Sequence, residues 1–418
     1  MHISLENRTE FYLVGISVVC AFLIFFFQQC AGTLNYFIFG GLILSLIGVA
    51  LFFFVSNHCE KNARRLALLG SLFLIVAYLA WPNRAYWLNW HDQSYYYNMM
   101  YELANGYLTQ ETFRYGIGYP ILAVPFYFLI GADALFIPNL MAFAGTIYLS
   151  YGIFRSLSDD LSSKVAILLL VFATTFPYHH IIWWSHGIVI FSFTLICYLA
   201  LERELSNKSL LLIGFLTGYS FFTRYVEIII FIPMVVYLIW RKKLKGLTLV
   251  TLGAIPPILA TFLAHWLIFG NPLMTPYRTE LGFSQSLFLL EKIPYNTFLT
   301  FLYYPPEIAL NDPAVSILKF PVLIWAFFFV FAPLGLYFVL KKHSTMGQRG
   351  YIMAAAFSVI LCVLYSSAYW QFHSGVFGQY PADFRYLLLA FPFLAFFSAV
   401  GLLSYIRLGQ EKYNSISK

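Results

Sequence analysis

Apolar runs long enough to cross a bilayer follow one another along almost the whole of this 418-residue chain. Asp, Glu, Lys and Arg together supply only 10% of it and hydrophobic side chains 61%, against ~25% charged residues in an ordinary soluble domain. Charge that sparse cannot interrupt the apolar runs, which excludes a soluble enzyme, a secreted module and a disordered protein. The fold class expected is an all-α polytopic membrane protein.

Spans are expected at Phe11 to Gln28, Tyr36 to Val55, Leu66 to Trp81, Ala134 to Phe154, Val165 to Tyr178, Gly187 to Leu201, Leu210 to Phe222, Val226 to Trp240, Leu247 to Phe269, Phe320 to Leu340, Tyr351 to Tyr369 and Tyr386 to Ile406, about 12 in all within a range of 10 to 13. No cleavage-like motif follows the first run, so it reads as a retained helix. With the N-terminus in the cytoplasm, 18 of the 25 Lys and Arg fall on inner segments, and the other face keeps Arg84, Arg114, Arg224, Arg278, Lys292, Lys319 and Arg385. That bias is the positive-inside rule, and it puts both termini in the cytoplasm.

Tyr119 to Ile130 is apolar too, but it is only 12 residues long and contains Pro120 and Pro125. As a span it would reverse every later segment and expel Arg241, Lys242, Lys243 and Lys245 from the cytoplasm. An interfacial or re-entrant helix is expected instead. Two outer segments, 82–118 and 270–319, are too long to be turns, and loops of that length commonly carry function. The five cysteines show no paired spacing and read as buried small apolar residues. No repeat or soluble-domain boundary appears, so residues 1–418 are expected to form one membrane-embedded domain with no separate soluble domain.

The first long outer loop places one acid, Asp92, between Trp87 and Trp90 on one side and Tyr95, Tyr96 and Tyr97 on the other, followed by Met99, Met100, Leu103, Ala104, Asn105 and Gly106 at helical spacing. Burial and aromatic walls at such a place can shape a reactive carboxylate. Asp92 also suits a helix N-cap.

An outer-loop acid, two aromatics three and four positions later, and a short amphipathic helix closing in Leu, a small residue and Gly resemble the signature of the GT-C membrane glycosyltransferases. Asp92, Tyr95, Tyr96, Leu103, Ala104 and Gly106 carry it here. The resemblance continues in order through Gly118, Tyr119 and Pro120, through Gly218 to Tyr225 ending in Thr-Arg-Tyr, through Gly270, Asn271, Pro272 and Tyr277, and through Arg385 and Tyr386. In outline it is similar to the polyprenyl or dolichyl phosphate-mannose protein mannosyltransferases and to the aminoarabinose transferases. Many relatives carry a second acid directly after the first, where this chain has Gln93.

The resemblance implies a sugar donor linked to a polyprenyl phosphate, used on the outer face, and a glycan, lipid or protein acceptor. The implied reaction is an inverting displacement with Asp92 as general base. Arg385, Arg278 and Arg224 are the expected donor-phosphate ligands, because a guanidinium matches phosphate oxygens bidentately. His91, Tyr95, Tyr96, Tyr277 and Tyr386 are the expected pocket. Arg224 has an alternative reading as an interfacial anchor paired with Glu227, and Arg385 as one paired with Asp383. His91, His179, His180, His186 and His373 cluster on the outer face but match no metal motif, so no metal site and no cofactor are assigned; the lesser alternative is zinc or manganese held by His179, His180 and His186 beside His91 and Asp92. No nucleic-acid partner is indicated. The rival from another class is a transporter or a lipid or oligosaccharide flippase, which usually carries charges near the bilayer midplane; here the charges lie at span ends and loops.

Overall fold

The computed structural model describes residues 61–79, 91–172, 174, 176–201, 205–225, 227–274, 323–369 and 388–416. The two spans expected before residue 56 and most of the second long loop lie outside these residues. Among the described residues the elements are helical and no strand occurs. They are α1 (Lys61–Leu79), α2 (His91–Ala104), α3 (Pro120–Ile130), α4 (Phe136–Leu157), α5 (Asp160–Phe172), α6 (Phe176–Ile181), α7 (His186–Ala200), α8 (Asn207–Thr223), α9 (Ile232–Phe269), α10 (Leu323–Lys342), α11 (Met346–Tyr369) and α12 (Phe391–Ile416), with 3-10 turns at Gly131–Leu135 and Glu227–Phe231.

Five helical stretches among them are long and apolar enough to cross a membrane: Lys61–Leu79, Pro120–Leu157, Lys245–Phe269, Met346–Leu364 and Leu388–Ser415. The second combines α3 and α4, yet Gly131 at φ 60 and ψ −133 breaks the helical path between them. On the N-terminal side of that break α3 packs along α2, with the Tyr101 and Tyr127 rings 5.9 Å apart. The separate short helix expected at Tyr119 to Ile130 is therefore present, opened by Pro120 in its first turn.

Contacts between the helices order the bundle. In α1 and α4, Tyr78 stacks on Phe136 and Gly70 faces Phe143 and Ile147, so the two run antiparallel. The first residues of α7 lie beside the last of α8, since Arg224 Nη1 donates to Ser185 Oγ at 3.4 Å. α9 has two arms: Phe231 lies by Phe193 and Arg241 Nη1 donates to the Ala200 carbonyl at 2.9 Å, so its first part follows α7. Its second part follows α8, with Gly214 on Val250, Gly218 on Ala254, and Tyr225 on His265. Because α7 and α8 are antiparallel, the chain reverses between Arg241 and Val250, around the basic turn expected near Lys243.

Backbones touch where glycine allows it. A Cβ on Gly214, Gly218 or Gly253 would strike the facing backbone between α8 and α9, and the same holds for Gly335 and Gly401 between α10 and α12. Helices in lipid associate through such small residues, having no hydrophobic drive toward one another. Away from α8, Leu252, Leu259, Leu263 and Trp266 remain exposed, an apolar stripe that suits hydrocarbon.

The bundle thus has two chemically different ends. One gathers the junctions at Asn62, Leu157 to Asp160, Ala200, Arg241, His343 and Arg407, tied by His343 Nε2 to the Leu157 carbonyl at 2.8 Å and by Arg407 to Asp159 at 3.1 Å. Here the Lys164 ammonium, 2.6 Å away, and the Tyr151 hydroxyl draw the Asp160 carboxyl down to about 2. The other end gathers α2, α3, Trp183 to His186, Thr223 to Tyr225, and His265 to Met274.

Candidate active site

At this second end Asp92 is the second residue of α2, in the first turn rather than at the cap, where a negative charge meets the positive pole of the helix. Tyr95 and Tyr96 follow one turn later on the same face. Gly106, at φ 79, ends the helix in a conformation that favours glycine, and the chain doubles back. Buried Glu102 holds this return, accepting hydrogen bonds from Thr109 N at 2.8 Å, Thr109 Oγ1 at 3.0 Å and the Thr112 hydroxyl.

The returning loop delivers Arg114 and Tyr115 to the start of α2. Tyr115 OH donates to Asp92 Oδ1 at 2.6 Å. Its ring stacks on Tyr96 at 5.1 Å and meets the Tyr95 edge at 6.2 Å, while the Arg114 guanidinium lies 4.8 Å over Tyr95. A cation over an aromatic face is worth roughly 0.5–1 kcal/mol at an exposed site. Tyr96 is buried, and its hydroxyl lies 2.7 Å from Ser185 Oγ, the group that Arg224 reaches. Asp92, half-buried, therefore stands at one side of a tyrosine wall, and Arg224 stands at the end of the hydrogen-bonded path that leaves the wall through Ser185.

Two glycines make the loop fit. Gly118 N donates to the Phe222 carbonyl at 3.2 Å, and Tyr219 OH donates to the Gly118 carbonyl. A Cβ on Gly116 would overlap the carbonyls of Phe222 and Thr223, and one on Gly118 would overlap Thr223 itself. Beyond them buried Tyr119 donates to the Leu135 carbonyl at 2.7 Å and accepts from Asn139, whose amide also donates to the Ile182 carbonyl at 2.8 Å. Motifs a hundred residues apart in sequence, Gly118-Tyr119-Pro120 and Thr223-Arg224-Tyr225, thus meet at one place.

Of the residues expected from the sequence, Asp92, Tyr95, Tyr96 and Arg224 come together. Tyr277, Arg278, Arg385 and Tyr386 lie outside the described residues, as does the side chain of His91. Tyr115, Ser185 and Glu102 were not expected; the signal for Tyr115 was the Arg-Tyr-Gly-Ile-Gly-Tyr-Pro run, whose two glycines mark a close backbone approach. Gln93, directly after Asp92, is fully buried.

His179, His180 and His186 are packed rather than gathered, and His373 lies outside the described residues. His179 stacks on Trp184 at 5.3 Å, Trp184 edges His186 at 6.0 Å, and His180 Nδ1 lies 2.8 Å from the Phe176 carbonyl. Among the described residues no group of three or more His, Cys, Asp or Glu side chains is disposed to hold a metal ion.

No family model and no curated protein sequence matches the chain. Among solved structures it is similar to ArnT from Cupriavidus metallidurans, a crystal structure bound to undecaprenyl phosphate, with a TM-score of 0.53 and 13% sequence identity. The similarity covers 80% of this chain and 59% of that one, so the chain spans about three fifths of the length of that structure. At this identity the likeness is one of fold, and it is consistent with the helical architecture of the described residues.

Proposed function

We propose that the chain is a multi-pass glycosyltransferase that moves a sugar from a polyprenyl phosphate to an acceptor hydroxyl. The observation that carries this reading is the placement of Asp92. It is a carboxylate with one oxygen held by Tyr115, set in an aromatic wall with Arg114 and Arg224 nearby, in a fold similar to that of a protein solved with undecaprenyl phosphate. The carboxylate accepts the proton of the attacking hydroxyl as that oxygen bonds to the anomeric carbon. The bond from that carbon to the phosphate oxygen breaks from the opposite side, inverting the centre, and the guanidiniums receive the departing phosphate.

In this reading Arg224 is joined by Arg278 and Arg385, and the pocket by His91, Tyr277 and Tyr386. The chain crosses the cytoplasmic membrane about 12 times, with both termini and the basic end in the cytoplasm and the Asp92 end outside. Sugar nucleotides are then out of reach and a donor carried in the membrane is required. A cysteine at exposed Thr109, in a chain freed of its native cysteines, is expected to react in intact cells with an impermeant thiol reagent, while one at Lys341 reacts only after lysis.

The test of function compares glycolipids and glycans from cells with and without the gene. Loss of one defined sugar substituent, with the lipid-linked form of that sugar accumulating, is the expected result. Unchanged glycans with altered distribution of a lipid or solute between the two leaflets would instead favour a transporter.

A further inference from the structure

Arg224 ends α8 in extended backbone, at φ −151 and ψ 111, and successive side chains of an extended segment face opposite ways. Arg224 accordingly reaches back to Ser185, whereas Tyr225 turns to the far end of α9. There the Tyr225 hydroxyl lies 2.9 Å from His265 Nε2, and His265 Nδ1 lies 3.3 Å from the Pro272 carbonyl. A carbonyl only accepts, so Nδ1 carries the proton, Nε2 is the acceptor, and Tyr225 donates to it.

The same imidazole, 2% exposed, meets the edge of Phe113 at 5.7 Å and of Phe269 at 6.2 Å. Phe113 directly precedes Arg114 and Tyr115, and Gln110 Nε2 donates to the Ile268 carbonyl at 2.6 Å, holding that loop against the same helix end. One ring therefore touches the strap carrying Arg224, the loop carrying Arg114 and Tyr115, and the first residues of the second long loop.

We propose that His265 is a positioning residue: through Tyr225 it fixes the two-residue strap so that Arg224 is held toward the donor phosphate. The inference rests on the reading of Arg224 as a phosphate ligand. A packing role alone would need the ring's shape but not its directed bonds.

The test measures binding of undecaprenyl phosphate to the purified full-length protein, together with its melting temperature. Tyr225→Phe and His265→Phe each keep an aromatic ring and remove one partner of the same bond. Each is expected to weaken binding ~10-fold, the usual scale for one directed hydrogen bond, with melting shifted by no more than a few degrees. The double variant is expected to be no weaker than the worse single one, since both delete one interaction. His265→Gln, whose amide can both accept and donate, is expected to recover most of the affinity. Additive losses, no recovery in His265→Gln, or binding unchanged in both single variants would each overturn the proposal. Wild-type protein that fails to bind undecaprenyl phosphate would overturn the donor reading itself and this inference with it.

Discussion

Asp92→Asn is expected to lower glycosyl transfer by ~10²- to 10⁴-fold, the usual contribution of a general base, while the protein stays folded. The remaining amide oxygen can still accept from Tyr115 OH, so the contact at 2.6 Å and the stacked Tyr115 and Tyr96 rings survive. What is lost is an oxygen able to take a proton at neutral pH. Tyr115→Phe separates positioning from chemistry, because it frees the carboxylate without removing it. Its expected loss is smaller, ~10-fold, consistent with one charge-assisted bond of roughly 1.5–3 kcal/mol partly replaced by water. Turnover and melting temperature measured together check both: a large fall in melting for Asp92→Asn would return Asp92 to a purely structural place in the first turn of α2.

Gly116→Ala is expected to give the largest loss of stability among single-methyl changes at this end of the bundle. The added carbon would stand 2.6 Å from the Thr223 carbonyl oxygen and 2.8 Å from its carbon. Those atoms belong to backbone, so they cannot swing aside, and overpacking of this kind costs ~1–3 kcal/mol. The shift would also move the segment leading to Arg224 away from the loop bearing Tyr115, so transfer falls with stability. Gly347, in the first turn of α11, provides the contrast, since a Cβ there meets nothing within 4 Å. Gly347→Ala is expected to be neutral or stabilising by ~0.5–1 kcal/mol through the entropy of the unfolded chain. Thermal unfolding of the two variants in one detergent checks the difference.

What could be read from the sequence divides along physical lines. The helices were legible because apolar runs leave little alternative in a bilayer. The short helix at Tyr119 to Ile130 was legible because two prolines and 12 residues do not make a span. The reversal between Arg241 and Val250 was marked by its basic residues. Asp92, Tyr95 and Tyr96 stand together because three- and four-residue spacings fix a common helix face. Tyr115, Ser185 and His265 were not legible, because each reaches its partner through a fold contact that no local pattern encodes. Tyr115 lies 23 residues after Asp92, Ser185 lies 89 residues after Tyr96, and His265 lies 40 residues after Tyr225. Glu102 was hidden for another reason: an acid in an amphipathic helix reads as solvated until the loop that it captures is seen folded over it.

The central claim is that the donor is a sugar on a polyprenyl phosphate and that Asp92 drives its transfer. It is tested most directly with the purified protein in liposomes, supplied in parallel with polyprenyl-phosphate-linked sugars and with nucleotide-linked sugars, using lipid and glycan extract of the native membrane as acceptor. Wild-type protein is expected to consume one lipid-linked donor and release polyprenyl phosphate, to leave the nucleotide sugars untouched, and to lose that turnover in Asp92→Asn. Consumption of a nucleotide sugar, or release of polyprenyl phosphate undiminished in Asp92→Asn, would contradict the account.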